Sequence, residues 1–117
     1  MPDDPRIPDA AVIWRRISPA QIVPDGDGER ISSAAFSDSS DSPMSATLEA
    51  GRTYREALAD YQGFGLAELT VRQVRSLGEA YDVVRDPQPD DPHHVLVKGK
   101  KTTGVRKKLA GWSTLRR

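Results

Sequence analysis

Over residues 11–17 apolar and polar positions alternate, with Ile13, Arg15 and Ile17 on one side and Val12, Trp14 and Arg16 on the other. β-Branched and aromatic residues at this spacing predict a strand, which Ser18-Pro19 ends. Residues 21–23 resume the extended pattern before Pro24-Asp25-Gly26-Asp27-Gly28, a hairpin loop whose glycines accept positive φ and whose aspartates cap turns. The second arm runs over residues 29–36. After the polar, serine-rich stretch 37–43, Met44, Ala46, Leu48 and Ala50 alternate with Ser45, Thr47 and Glu49, the cleanest half-buried strand of the chain.

The period then changes. Thr53 and Glu56 form a capping-box pair, and Tyr54, Ala57, Leu58 and Tyr61 fall at i, i+3, i+4 and i+7, which predicts a helix over 54–61 with Leu58 buried and Gly63 as its stop. A short apolar strand over 64–69 precedes a second capping pair, Thr70 and Gln73, with Leu69 and Val74 at the staple positions. The helix it opens, 71–77, buries Val71, Val74 and Leu77, turns Arg72, Arg75 and Glu79 outward and stops at Gly78. Residues 81–85 predict a strand closed by Asp86-Pro87, and residues 93–98 the last one. Thr102 or Thr103 caps a third helix with Val105, Leu109 and Trp112 inside and Arg106, Lys107 and Lys108 outside. The order of elements predicts an α+β domain: a small, mostly antiparallel sheet of about five strands, with two to three short helices on one face.

At 117 residues the chain fits a single domain, read as a flexible segment 1–10, an α+β body 11–112 and a basic end 113–117. It contains no cysteine, which excludes disulfides, zinc–thiolate centres, iron–sulfur clusters and thiol nucleophiles, and fits a reducing cytoplasm. The opening MPDDPRIPDA is acidic and proline-rich where a secretory signal needs a basic end and an apolar core. No window approaches the ~18–20 apolar residues that span a bilayer, so no membrane partner is expected.

Charge adds what hydropathy does not show. The net charge is zero, yet no acidic residue follows Asp91, whereas Lys98, Lys100, Lys101, Arg106, Lys107, Lys108, Arg116 and Arg117 all do. Nine arginines and all 17 acids precede them, so a body near −8 is joined to a tail near +8, a signature that concerns partners more than fold. Lys98, Lys100, Lys101, Arg106, Lys107 and Lys108 are therefore the candidate phosphate- or partner-binding residues. Arg15, Arg16, Arg30, Arg72, Arg75 and Arg85 extend that surface only where the fold gathers them.

Candidate chemistry is sparse. His93 and His94, the only histidines, point to opposite faces of a strand and so do not grip one metal ion; no metal site and no cofactor is expected. Either histidine, with a neighbouring acid such as Asp90 or Asp91, has the groups for general acid–base work, although a histidine closing the turn at a strand start is the commoner arrangement. DGDGE fails as a calcium loop, since Arg30 and Phe36 stand where glycine and glutamate are required. The stretch Lys98–Gly104 resembles the end of a phosphate loop, but His94 stands where that loop requires glycine.

The segments Trp14-Arg15-Arg16-Ile17-Ser18-Pro19, Ser32-Ser33-Ala34-Ala35-Phe36 with Met44-Ser45, and Asp86-Pro87 through Pro92-His93 resemble a pattern in short uncharacterised bacterial proteins. The resemblance implies a bacterial single-domain protein acting beside a larger partner, and it carries over no catalytic residue. Two function classes follow. The first is a non-enzymatic binding or accessory module engaging a larger protein, or nucleic-acid phosphates, through the basic C-terminal region. The second is a small hydrolase or nucleic-acid-acting enzyme built on His93 or His94 with a nearby aspartate.

Overall fold

The computed structural model describes residues 6–117. Eight strands and three helices follow in the order β1 (Val12–Ile17), β2 (Ile22–Asp25), β3 (Gly28–Ile31), β4 (Met44–Leu48), α1 (Tyr54–Ala57), β5 (Gly65–Thr70), α2 (Val71–Arg75), β6 (Asp82–Arg85), β7 (His94–Lys98), α3 (Thr103–Trp112) and β8 (Thr114–Arg116). Six strands form an antiparallel sheet in the order β6-β7-β4-β1-β5-β8, and β2 and β3 pair separately. The α+β class stands, with six strands in the main sheet rather than about five. The additional edge strand is β8, within the stretch expected to be only a basic end.

Register assigns the faces. Ile13 pairs with Leu48 and Leu69, Ala46 with Val95, and Met44 and Val83 both with Val97, so these side chains share one face. Onto it pack α2 through Val71 and Val74, α3 through Leu109, and a 3₁₀ turn (Ser33–Ala35) that delivers Phe36, all fully buried. Trp14 pairs with Thr47 and Glu68, and Thr47 with His94, which defines the opposite face. That face is covered only in part, where Ala57 of α1 closes over Trp14 and Leu66.

Both predicted capping boxes form: the Thr53 and Thr70 hydroxyls accept the Glu56 and Gln73 amides, and each carboxylate or amide side chain reaches back. The helices they open are shorter than expected. α1 ends at Ala57, with Leu58 as its cap and half-buried, because the chain turns away to carry Tyr61 over Arg16, 4.4 Å from guanidinium carbon to ring centroid. α2 ends at Arg75, leaving Leu77 half-buried.

Arg75 does not point outward. Its side chain is 12% exposed and pairs with Asp9 at 2.5 Å and Asp82 at 2.7 Å, locking the segment before β1 to the start of β6. Residues 1–5 of the segment expected to be flexible lie outside the described residues; within it, Ile7 is buried in the core. Among the described residues no helix is long and apolar enough to cross a membrane.

Candidate functional site

Two concavities, on opposite faces of the sheet, gather the chemistry of the chain. The first lies between β3 and α3, has a volume of about 630 Å³, and is lined by Glu29, Arg30, Ile31, Ser33, Lys107, Ala110, Gly111, Ser113 and Leu115. The β2–β3 hairpin positions Arg30: Gly26 at φ +63° closes the turn, and Asp25 pairs with Gly28. Buried Leu109 orients α3, setting Lys107 on the exposed flank and Ala110 toward the core. Glu29, the one carboxylate among the described residues lining this concavity, is paired with Arg117 at 2.8 Å. Arg30 and Lys107 have no acidic partner among the described residues.

The basic C-terminal residues separate into two groups. Lys98, Lys100, Lys107 and Lys108 are exposed and have no acidic partner among the described residues, and Arg106 donates to the Thr103 hydroxyl. The others are held by the body of the protein. Lys101, only 4% exposed in its side chain, donates to Asp38 at 2.9 Å and to the carbonyls of Val97 and Gly99 at 2.7 and 2.5 Å, so it leaves the partner-binding set. Arg116 pairs with Glu68 across β8 and β5. Burial works against the Glu68 charge, but hydrogen bonds from Arg116 and the Trp14 indole outweigh it and hold the carboxyl below its ordinary range.

The second concavity lies on the α1 face and comprises two adjoining cavities of about 410 and 640 Å³, both walled by Arg16, Tyr61, Asp90 and Asp91. Asp91 is 9% exposed. Its Oδ1 accepts from the Thr47 hydroxyl at 3.2 Å and the His93 amide at 3.0 Å, while Oδ2 lies 3.7 Å from Arg16 Nη1 and has no hydrogen-bond partner among the described residues. Arg16 is fixed from its other side by donation from Nε to the Ala57 carbonyl at 3.0 Å. Arg52 donates to the Thr47 hydroxyl at 2.8 Å and to the Leu48 carbonyl, which explains how a threonine comes to be fully buried on this face.

The two histidines diverge. His94, opposite Thr47, faces the cavity, and its Nδ1 lies 3.0 Å from the Asp86 carbonyl and 3.1 Å from the Asp86 carboxylate. A carbonyl only accepts, so Nδ1 carries a proton and Nε2 is the ring nitrogen able to accept one. The acid beside His94 is therefore Asp86. Asp91 instead engages Arg16, Thr47 and the His93 backbone. Among the described residues no group of three or more His, Asp or Glu stands close enough to hold a metal ion.

Sequence reasoning named His94, Asp90 and Asp91 but had no signal for Thr47, Tyr61 or Asp60, which become neighbours only through register and the early end of α1. Comparison of the chain with family models, curated proteins and solved structures finds no match.

Proposed function

We propose that the chain is a non-enzymatic binding module of a bacterial cytoplasmic system, seating an anionic group of a larger protein partner in the concavity between β3 and α3. The observation that supports this is the pairing pattern there: Arg30 and Lys107 have no acid among the described residues, while Glu29 is already neutralised by Arg117. An unpaired ammonium or guanidinium beside an apolar floor of Ile31, Ala110 and Leu115 favours a carboxylate carried on a protein surface. Lys98, Lys100 and Lys108 add long-range attraction, which raises the association rate more than the affinity.

The test is co-purification from the native host with the intact chain and with an Arg30→Glu/Lys107→Glu variant. A protein retained by the first and lost by the second, in a salt-sensitive manner, fits the reading. Nucleic-acid phosphates are the competing anion. Filter binding across a salt series separates them, because each phosphate contact on duplex DNA contributes about −0.9 to the slope of log affinity on log salt.

The hydrolase reading draws on one specific observation, the Asp86–His94 pair in the 640 Å³ cavity that also holds Ser42 and Ser45. Its Nε2 is the free acceptor a general base requires. A His94→Ala variant that folds and retains full biological effect would eliminate that reading.

A further inference from the structure

Arg15 and Arg16 are neighbours on a strand, where side chains alternate between faces, yet both line one recess of about 240 Å³ between β1 and β4. We infer that this recess binds a small aromatic carboxylate. Its origin is a break in the sheet. β1 pairs with β5 over all six residues, but with β4 only through Ile13↔Leu48 and Trp14↔Thr47. Beyond Trp14 the Arg15 side chain takes over from the ladder, donating from Nη1 to the Ser45 carbonyl at 2.8 Å and hydroxyl at 3.1 Å, and from Nε to the Ala35 carbonyl at 3.1 Å.

That bridge leaves a half-buried positive charge without a counterion. Every acceptor of Arg15 is neutral, and no carboxylate pairs with it among the described residues. Burial works against its charge, and the carboxylate that offsets this, Asp38, is itself paired with Lys101 at 2.9 Å. Arg15 Nη2 has no acceptor among the described residues and, unlike Arg75 Nη2, is not sealed from the surface. The Ser45 hydroxyl, having accepted from Arg15, keeps its own hydrogen to donate. Donors in this condition gain most from an oxyanion, since charge-assisted hydrogen bonds are roughly twice as strong as neutral ones.

The remaining walls select what carries the oxyanion. No acidic residue lines the recess among the described residues; Asp91 and Asp86 engage its Arg16 and His94 from outside. One uncompensated cation matches a monoanion, which favours a carboxylate over a phosphate group carrying about −1.5 to −2. Trp14, Tyr61 and Phe64 supply aromatic surface, the last two with ring centroids 5.6 Å apart and planes tilted by 55°. Such rings receive a further ring by offset or edge-to-face contact.

Size sets the upper limit. The recess, at about 240 Å³, is smaller than the about 300–1,000 Å³ of sites for drug-sized ligands, which restricts the occupant to a single-ring acid. It shares no lining residue with the concavity between β3 and α3, so either site can fail without the other.

The experiment is an amide and indole NMR titration of the intact chain with benzoate, acetate and benzylamine. Benzoate should give saturable shifts at Ser45, Ala46 and the Trp14 indole; acetate, without the ring, should bind about tenfold more weakly or worse, and benzylamine, of opposite charge, not at all. Arg15→Met should weaken benzoate about tenfold or more. Phe64→Ala and Ser45→Ala, which remove a ring and a donor from the walls, should each weaken it about threefold or more, and they decide the matter where Arg15→Met does not fold. Arg30→Glu/Lys107→Glu should change it less than about twofold, being a distant and independent site. Absence of saturable benzoate binding, acetate binding as tightly as benzoate, or benzoate affinity unchanged in Phe64→Ala and Ser45→Ala overturns the proposal.

Discussion

The two faces of the sheet solve the same packing problem differently. On the α2/α3 face, a continuous layer of Ile13, Ile17, Phe36, Met44, Leu69, Val95 and Leu109 is almost fully excluded from water, and cations are left for the rim. On the α1 face, a four-residue helix closes over Trp14 and Leu66, and the remainder is polar: Thr47 and Asp91, buried and bonded to each other, with Arg16 and His94 half-buried beside them. The first arrangement stabilises by area removed from water. The second leaves a concavity whose polar groups satisfy one another incompletely, the condition from which ligand sites are made.

Mutations should separate the faces, the largest effect coming from the core. Phe36→Ala is expected to cost about 3–5 kcal/mol in urea unfolding, since the ring is fully buried. Leu58→Ala, on the thinly covered face, should fall near or below the ~2 kcal/mol at the bottom of the range for buried leucines. Equal costs would show that α1 covers more than its four residues suggest.

Next comes Gly99, which ends β7 and sets the direction of Lys98 and Lys100. It adopts φ +112°, and a Cβ there would lie 2.1 Å from Tyr81 Cδ1, whose ring is also held by its hydroxyl bond to the Lys100 carbonyl. Gly99→Ala should therefore destabilise by about 1–3 kcal/mol and release the Tyr81 ring, measurable by its NMR shifts.

A smaller, pH-dependent effect centres on Arg75. Hydrogen bonding to Arg75 holds the Asp9 carboxyl below its ordinary 3.8. For Asp82 burial opposes ionisation, but bonds from Arg75 and the Val83 amide outweigh it and give the same direction. Carboxyls depressed in the folded state contribute stability that is present above their unfolded value and lost as pH falls through the folded one. The intact protein should thus lose stability on acidification below about pH 4, and Arg75→Met should lose less over the same window. A variant with unchanged acid sensitivity would remove Arg75 as the cause.

Much of this fold was legible because its signals are local. Thr53/Glu56, Thr70/Gln73 and Thr102 are each complete within four residues, and alternation at Met44–Leu48 reports a surface with one buried face. What sequence could not show depends on contacts distant along the chain. Three-residue β8 carries too little pattern to announce itself and exists by pairing with β5. Thr47, polar and on the alternate phase, is buried because Arg52 and Asp91 satisfy its hydroxyl. Tyr61 has helical spacing but leaves the helix for Arg16. The charge reversal after Asp91 was plain in the sequence, but which cations remain unpaired was not, since Lys101, Arg116 and Arg117 find acids 63, 48 and 88 residues away.

The smallest expected effect on stability belongs to the residues given the largest part in binding. Arg30→Glu/Lys107→Glu should alter unfolding by no more than about 0.5 kcal/mol, as for surface positions generally. The most direct measurement is an amide NMR titration of the intact chain and of this variant with a hexaglutamate peptide at about 50 mM salt. The account predicts saturable shifts at Arg30, Ser33, Lys107 and Gly111, lost in the variant and reduced as salt rises. Shifts absent from these amides, or persisting unchanged in the variant, would contradict it.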